Sequence, residues 1–220
     1  MAETVTYSNH YKYALKKKLI DESVDTIRAL LMRSGFVFNK DNHAQLINIR
    51  TTTGALVGTL DISVAAKTFH RDAGSFLTNG FVAGNQVVIT GTTDNDGTYT
   101  IDTVTATDMV VLEVPPGTDQ SNGNGTIASD DELATGNGYT QNTKSVGVVT
   151  VSEDDTNDRS DSTFPTITWT AAGGNIGPTP CVLIYDVTAD VIICELNFGG
   201  EITKSPPDSL NIGNGTLRAA

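Results

Sequence analysis

An all-β fold with little helix is what this sequence predicts, and three observations predict it. Its 21 glycines fall between short runs of β-branched and aromatic residues. Turn signals recur at a spacing of roughly 8–12 residues, as they do in compact antiparallel modules. Long runs of Leu, Ala, Glu and Lys, the strong helix formers, are missing. At 220 residues the chain holds one large domain or two small ones, and either buries a core.

Taken in order, the tract Tyr11 to Arg33 is the one region where helix competes. Leu15, Leu19 and Ile20 leave Lys16, Lys17 and Lys18 between them, which suits one or two amphipathic turns. The run Thr26 to Leu31 fits either period, and Gly35 ends it. Phe36-Val37-Phe38 is a short apolar run closed by the turn-like Asn39 to Asn42. From Thr51 onward strands are expected at Ala55–Ile62, Phe81-Val82, Gln86–Thr90, Thr98–Thr103 and Met109–Val114. Pro115-Pro116-Gly117 closes that series, and residues 118–125 read as an exposed loop. A second β-rich stretch follows, with strands at Val146–Val151 and Thr166–Thr170 and a charged loop at 153–161. Cys181–Val187 and Val191–Phe198 flank the turn Thr188-Ala189 as a hairpin. That turn pairs Asp186 with Val191 and sets Cys194 opposite Leu183. The two cysteines are then out of register for a disulfide with each other and read as small core thiols, a bond to a neighbouring subunit being the alternative.

Charge narrows the functional classes. The formal net charge is −12, yet residues 1–50 carry +3 and residues 51–220 carry −15. No Lys or Arg lies between Arg71 and Lys144. An acidic body repels phosphates, so nucleic acid is not an expected partner. No stretch approaches the roughly 20 apolar residues that span a bilayer, so no membrane partner is expected. The opening residues lack the apolar core of a secretory signal. Synthesis in a cytoplasm is the expectation, and two cysteines are too few for a disulfide framework.

Motifs that carry chemistry are weak here. No phosphate-binding GxxxxGK(S/T) loop occurs. Gly136-Asn137-Gly138 opens like a dinucleotide fingerprint, but Gln141 stands where its last glycine belongs, so a turn is expected. Asp94-Asn95-Asp96-Gly97 resembles part of a calcium loop, but Thr92 and Thr103 occupy its first and last ligand positions. Solvated Asx turns are the expected reading. His10, His43 and His70 have no metal-ligand spacing. No catalytic residue, cofactor or metal is assigned, and no enzymatic activity is expected.

The ordered set of motifs at 25–43 (DTIRALLMRSGFVFNKDNH), 131–140 (DELATGNGYT), 151–158 (VSEDDTND), 166–178 (TITWTAAGGNIGP) and 182–200 (VLIYDVTADVIICELNFGG) resembles a group of tailed-bacteriophage virion structural proteins. The resemblance covers the two chain ends, about two-thirds of the chain. It implies a non-enzymatic role and favours strand over helix for residues 25–33. In that group the first motif runs almost directly into the GNGYT turn. Residues 51–128 are therefore expected to be an inserted small antiparallel β-barrel or sandwich. Residues 1–50 plus 129–220 are expected to form a β-sandwich-like host domain.

What the resemblance implies in full is a head decoration (cement) protein, made in the bacterial host cytoplasm and placed on the outer surface of the phage head. It would bind the major capsid protein and would itself be a homo-oligomer, commonly a trimer. Tyr11, Lys12, Tyr13, Lys16, Lys17 and Lys18 are the expected capsid-contact residues, as aromatic anchors and positive charge. A tail, collar or fibre-associated position and a receptor- or glycan-binding module are the alternatives.

Overall fold

The structure, a computed structural model, describes residues 4–156, 159–213 and 215–219. It is all-β apart from one short α-helix and one 3-10 turn. The strands are β1 (Thr4–Tyr7), β2 (Ile27–Leu31), β3 (Arg50–Ser63), β4 (Thr68–Arg71), β5 (Gln86–Thr90), β6 (Gly97–Val104), β7 (Asp108–Val111) and β8 (Gln120–Asp130). They continue with β9 (Thr150–Asp154), β10 (Arg159–Phe164), β11 (Ile167–Thr170), β12 (Ile176–Asp186), β13 (Val191–Lys204), β14 (Ser209–Ile212) and β15 (Gly215–Ala219). Helix α1 spans Asn9–Lys16. The chain divides into two compact units, Met1–Ala44 with Glu132–Ala220, and Gln45–Asp131.

The central unit is a closed barrel in the order β3-β4-β7-β6-β5-β8. Alternation decides its inside. Val87 and Ile89 of β5, Tyr99 and Ile101 of β6, and Met109 and Val111 of β7 are buried, while their neighbours face outward. Closure needs a bent strand, and β3 supplies it. Its pairing with β8 shifts register between Thr52 and Ala55 and again between Leu56 and Leu60. Gly54 and Gly58 sit at those irregularities with φ of +69° and +63°. Only glycine adopts such angles cheaply, so the bends are written into the sequence. Phe69, Phe76, Phe81, Tyr99 and Met109 fill the interior. Arg71 is buried, yet its guanidinium donates to the Ala73 carbonyl and to Asn79 Oδ1, both at 2.6 Å, and lies over the Phe76 ring.

The unit of the two chain ends contains a four-stranded sheet, β1-β13-β12-β2. A three-stranded sheet, β15-β10-β9, and the pair β11-β14 complete it. Residues 181–186 and 191–196 are all buried. That accounts for their near-continuous apolar run, because a strand covered on both faces has no polar side to alternate with. Ile27, Leu31, Val182, Ile184, Ile193 and Trp169 share one core.

Several local expectations change. The unit boundaries fall at 44/45 and 131/132, not at 50/51 and 128/129, because the Asp131 amide bonds the Ile49 carbonyl and ties the barrel's entry to its exit. Phe81 is a buried core residue outside any strand. The expected loop 118–125 contains the start of β8, and the expected loop 153–161 contains parts of β9 and β10, which pair antiparallel. Residues 157 and 158 of that loop lie outside the described residues. The strand expected at Val146–Val151 begins at Thr150. At the C-terminal hairpin Asp186 does pair with Val191, across the four residues Val187–Asp190. A bulge then places Cys194 opposite Ile184, not Leu183, while Cys181 faces Asn197. Both thiols are buried and free, and burial pushes both well above the usual thiol range.

Candidate interaction surface

Helix α1 carries the candidate contact residues, and its ends explain how so short a helix holds. Ser8 is the N-cap, its buried hydroxyl accepting the Tyr11 amide at 3.2 Å. The Ser8 amide itself donates to the Ile193 carbonyl, which pins the helix start to β13. At the other end Lys18 N–H donates to Leu15 O and Leu19 N–H donates to Ala14 O, both at 3.0 Å. This is a Schellman closure with Lys18 at the left-handed position, φ +55°. Glycine is the residue that normally stands there, since a Cβ in that conformation costs about 1 kcal/mol. Here a lysine does. Lys16 lies in the last turn, where positive charge suits the helix dipole.

The helix sorts its residues by face. Tyr11 and Ala14, three apart, are buried. The Tyr11 hydroxyl donates to Glu22 Oε1 at 2.6 Å, and its ring stacks on Tyr7. Burial first, and the Glu22 carboxylate second, push the Tyr11 phenol far above its ordinary range. Tyr11 is therefore a core anchor and not a surface contact, a correction to the expected set. Lys12, Tyr13, Lys16, Lys17 and Lys18 are all exposed. Tyr13 is 53% exposed, with the Lys17 ammonium 5.7 Å from its ring centroid and His10 stacked beside it. Leu19, 60% exposed, extends this basic and apolar surface. Beside it a cleft of about 300 Å³ is lined by Leu15, Lys18, Ile20 and Glu22 among others.

The other motifs resolve into structure. Gly136-Asn137-Gly138 is a tight turn, closed by reciprocal bonds between Gly136 and Tyr139. Gly138 packs so closely on β11 that an added Cβ would lie 2.1 Å from the Thr170 carbonyl oxygen. The Asp96 carboxylate accepts from the amides of Gly91 and Thr92 and from the Thr92 hydroxyl. Those bonds, the Thr92 hydroxyl foremost, hold Asp96 below the usual carboxylate range. Asp94 likewise accepts from the Thr118 amide and hydroxyl. Asp96 thus serves its own loop, whereas Asp94 ties that loop to the one that precedes β8. His43 is buried against Phe36, and its Nδ1 accepts the Asn39 amide. His70 Nδ1 lies 2.7 Å from Asp108 Oδ1 on the barrel surface. Among the described residues no three His, Cys, Asp or Glu side chains gather as metal ligands. Among the same described residues no helix is long and apolar enough to cross a membrane.

The sequence pointed to α1 through its lysines, but two features escaped it. The lysine at a glycine position is visible only from the backbone angle. The exposure of Leu19 needed the Schellman closure to turn it outward. Comparison with known proteins finds no match among protein-family descriptions, curated proteins or solved structures.

Proposed function

We propose that this chain is a non-enzymatic structural protein of a tailed-phage virion, a decoration protein seated on the outer face of the capsid. In this reading the surface of α1 contacts the major capsid protein through Lys12, Tyr13, Lys16, Lys17 and Lys18. Tyr13 and Leu19 supply apolar area, and the lysines supply charge for an acidic shell. The observation that carries the reading is Lys18. A side chain kept at a left-handed position that glycine would fill more comfortably points to a use for its charge. The split between a basic N-terminal segment and an acidic remainder supports it. So does the resemblance of the ordered motifs at the two chain ends to virion proteins.

The mechanism is mass action. A subunit that binds assembled shell better than free capsid subunits stabilises the shell by its binding free energy. A homo-oligomer, a trimer at symmetry points, multiplies a modest single contact. The test is sedimentation of the purified protein with undecorated capsids, alongside a variant with Lys12, Lys16, Lys17 and Lys18 changed to Glu. The reading expects the wild type to co-sediment and the variant to stay in the supernatant. Equal binding by both would contradict the assigned surface.

A further inference from the structure

The cleft of about 300 Å³ beside α1 is lined from the helix and the turn after it on one hand, and from β9 and β10 on the other. Its deepest residues are Tyr11, Ile20, Glu22 and Ser162, each less than a tenth exposed. Lys18 and Asp21, both exposed, stand at the rim. Ser160 and Ser162 are two apart on β10, so their side chains share one face of the sheet, and Val151 of β9 pairs with Ser162. The Tyr11 hydroxyl donates to Glu22 Oε1 at 2.6 Å. Burial first, and Glu22 second, push that phenol far above its ordinary range, so it keeps its proton and remains a donor. Glu22 Oε2 is left over, with no hydrogen-bond partner among the described residues, and the hydroxyls of Ser160 and Ser162 have none either. None of these three atoms is sealed inside the protein, so all three are reached from the cleft.

A mostly buried carboxylate oxygen without a donor calls for an explanation. We propose that this cleft receives a single ammonium group on an unbranched aliphatic stem, the chemistry of a lysine side chain from a partner polypeptide. An ammonium carries three N–H donors and no acceptor. One carboxylate oxygen and two hydroxyls match it. A guanidinium fork fits a carboxylate best through both oxygens, and Tyr11 already holds one of them. An anion is repelled by Glu22. A metal ion is not served, because Asp21 Oδ1 is taken by the amide and hydroxyl of Ser23. Leu15, Ile20 and Val151 give the methylene stem apolar walls. Lys18 at the rim, with Lys16 and Lys17 exposed near it in sequence, disfavours a ligand with a second positive charge. That sets a lysine side chain above a polyamine.

This inference does not rest on the virion reading and is tested on the full chain without a capsid. The probe is Nα-acetyl-lysine N-methylamide, titrated while the amide NMR signals are followed. The expected result is saturable shifts at Ile20, Glu22, Ser160 and Ser162, with a dissociation constant in roughly the millimolar range for so small a ligand. The norleucine analogue, which keeps the stem and lacks the charge, should give none. Glu22→Gln leaves an acceptor for the Tyr11 hydroxyl but removes the charge, and should weaken binding about tenfold. Ser162→Ala removes one acceptor without touching Tyr11 and should weaken it about threefold. n-Pentylamine distinguishes the source. Weaker binding than the lysine probe supports a polypeptide side chain, and binding as tight or tighter overturns that source. No saturable shift, equal binding of the norleucine analogue, or unweakened binding by both variants overturns the site.

Discussion

The Tyr139 hydroxyl donates to Glu132 Oε1 at 2.6 Å and accepts the Leu31 amide at 3.0 Å, with both side chains buried. Two stretches about a hundred residues apart meet in that one phenol. Glu132 also accepts the amide of Asn142, so one carboxylate organises the turn on both sides. Charge-assisted bonds in a dry site are among the stronger ones a fold can make. Removing only the hydroxyl, in Tyr139→Phe, should cost about 2–3 kcal/mol, because a buried carboxylate loses a donor and a buried amide loses its acceptor. Urea unfolding checks it. A loss below about 0.5 kcal/mol would mean the network is dispensable.

Two glycines separate steric from conformational cost. Gly138 and Gly173 both have left-handed φ, +93° and +80°. A Cβ on Gly138 would strike the Thr170 carbonyl, whereas one on Gly173 meets nothing within 4 Å. Gly173→Ala should cost about 1 kcal/mol from backbone strain alone. Gly138→Ala should cost clearly more. Thermal unfolding of the pair decides, and equal losses would show that the turn shifts freely off β11.

Lys18→Gly should do the opposite of most substitutions. Relief of the left-handed strain is expected to stabilise the fold by up to about 1 kcal/mol. Capsid binding, if Lys18 is retained for its charge, should weaken and lose part of its salt dependence. Binding measured at two salt concentrations, beside a melting curve, reads both effects.

His70 and Asp108 give a pH signature on the barrel. The hydrogen bond to Asp108 raises His70, and the same bond foremost lowers Asp108. The His70 contribution is complete below its unfolded value of 6.5 and is lost as pH rises through its raised value. The Asp108 contribution is present above 3.8 and is lost as pH falls through its lowered value. The pair therefore helps most between about pH 4 and 6.5. Both side chains are more than a third exposed, so screening holds the effect to a few tenths of a kcal/mol. His70→Ala should lower stability slightly at pH 5 and not at pH 9. A larger loss at pH 9 would contradict the assignment.

Much of the fold was legible in the sequence. Turn residues at short spacing foretold an all-β chain, and the alternation in Gln86–Thr90 gave its strand end to end. What stayed hidden depended on partners distant in sequence. The bulge that sets Cys194 against Ile184 arises where two paired strands fall out of step, and neither strand shows it alone. Tyr11 looked like a surface aromatic among lysines until Glu22, Tyr7 and β13 closed over it. The charges of Glu153 to Asp161 suggested a loop, yet Glu153 lies on β9, an edge strand where charge is tolerated, and Asp161 on β10 beside it. For the candidate surface, the lysine cluster was readable, but the strain at Lys18 was not.

Decoration of the outside of a phage head is the role proposed for this chain. The most direct measurement is a map of the intact particle in which this chain is located. Decoration predicts hundreds of copies on the outer shell, each with α1 turned toward the major capsid protein. A map placing six or twelve copies at the tail or collar, or a decorated shell with α1 facing solvent, would contradict it.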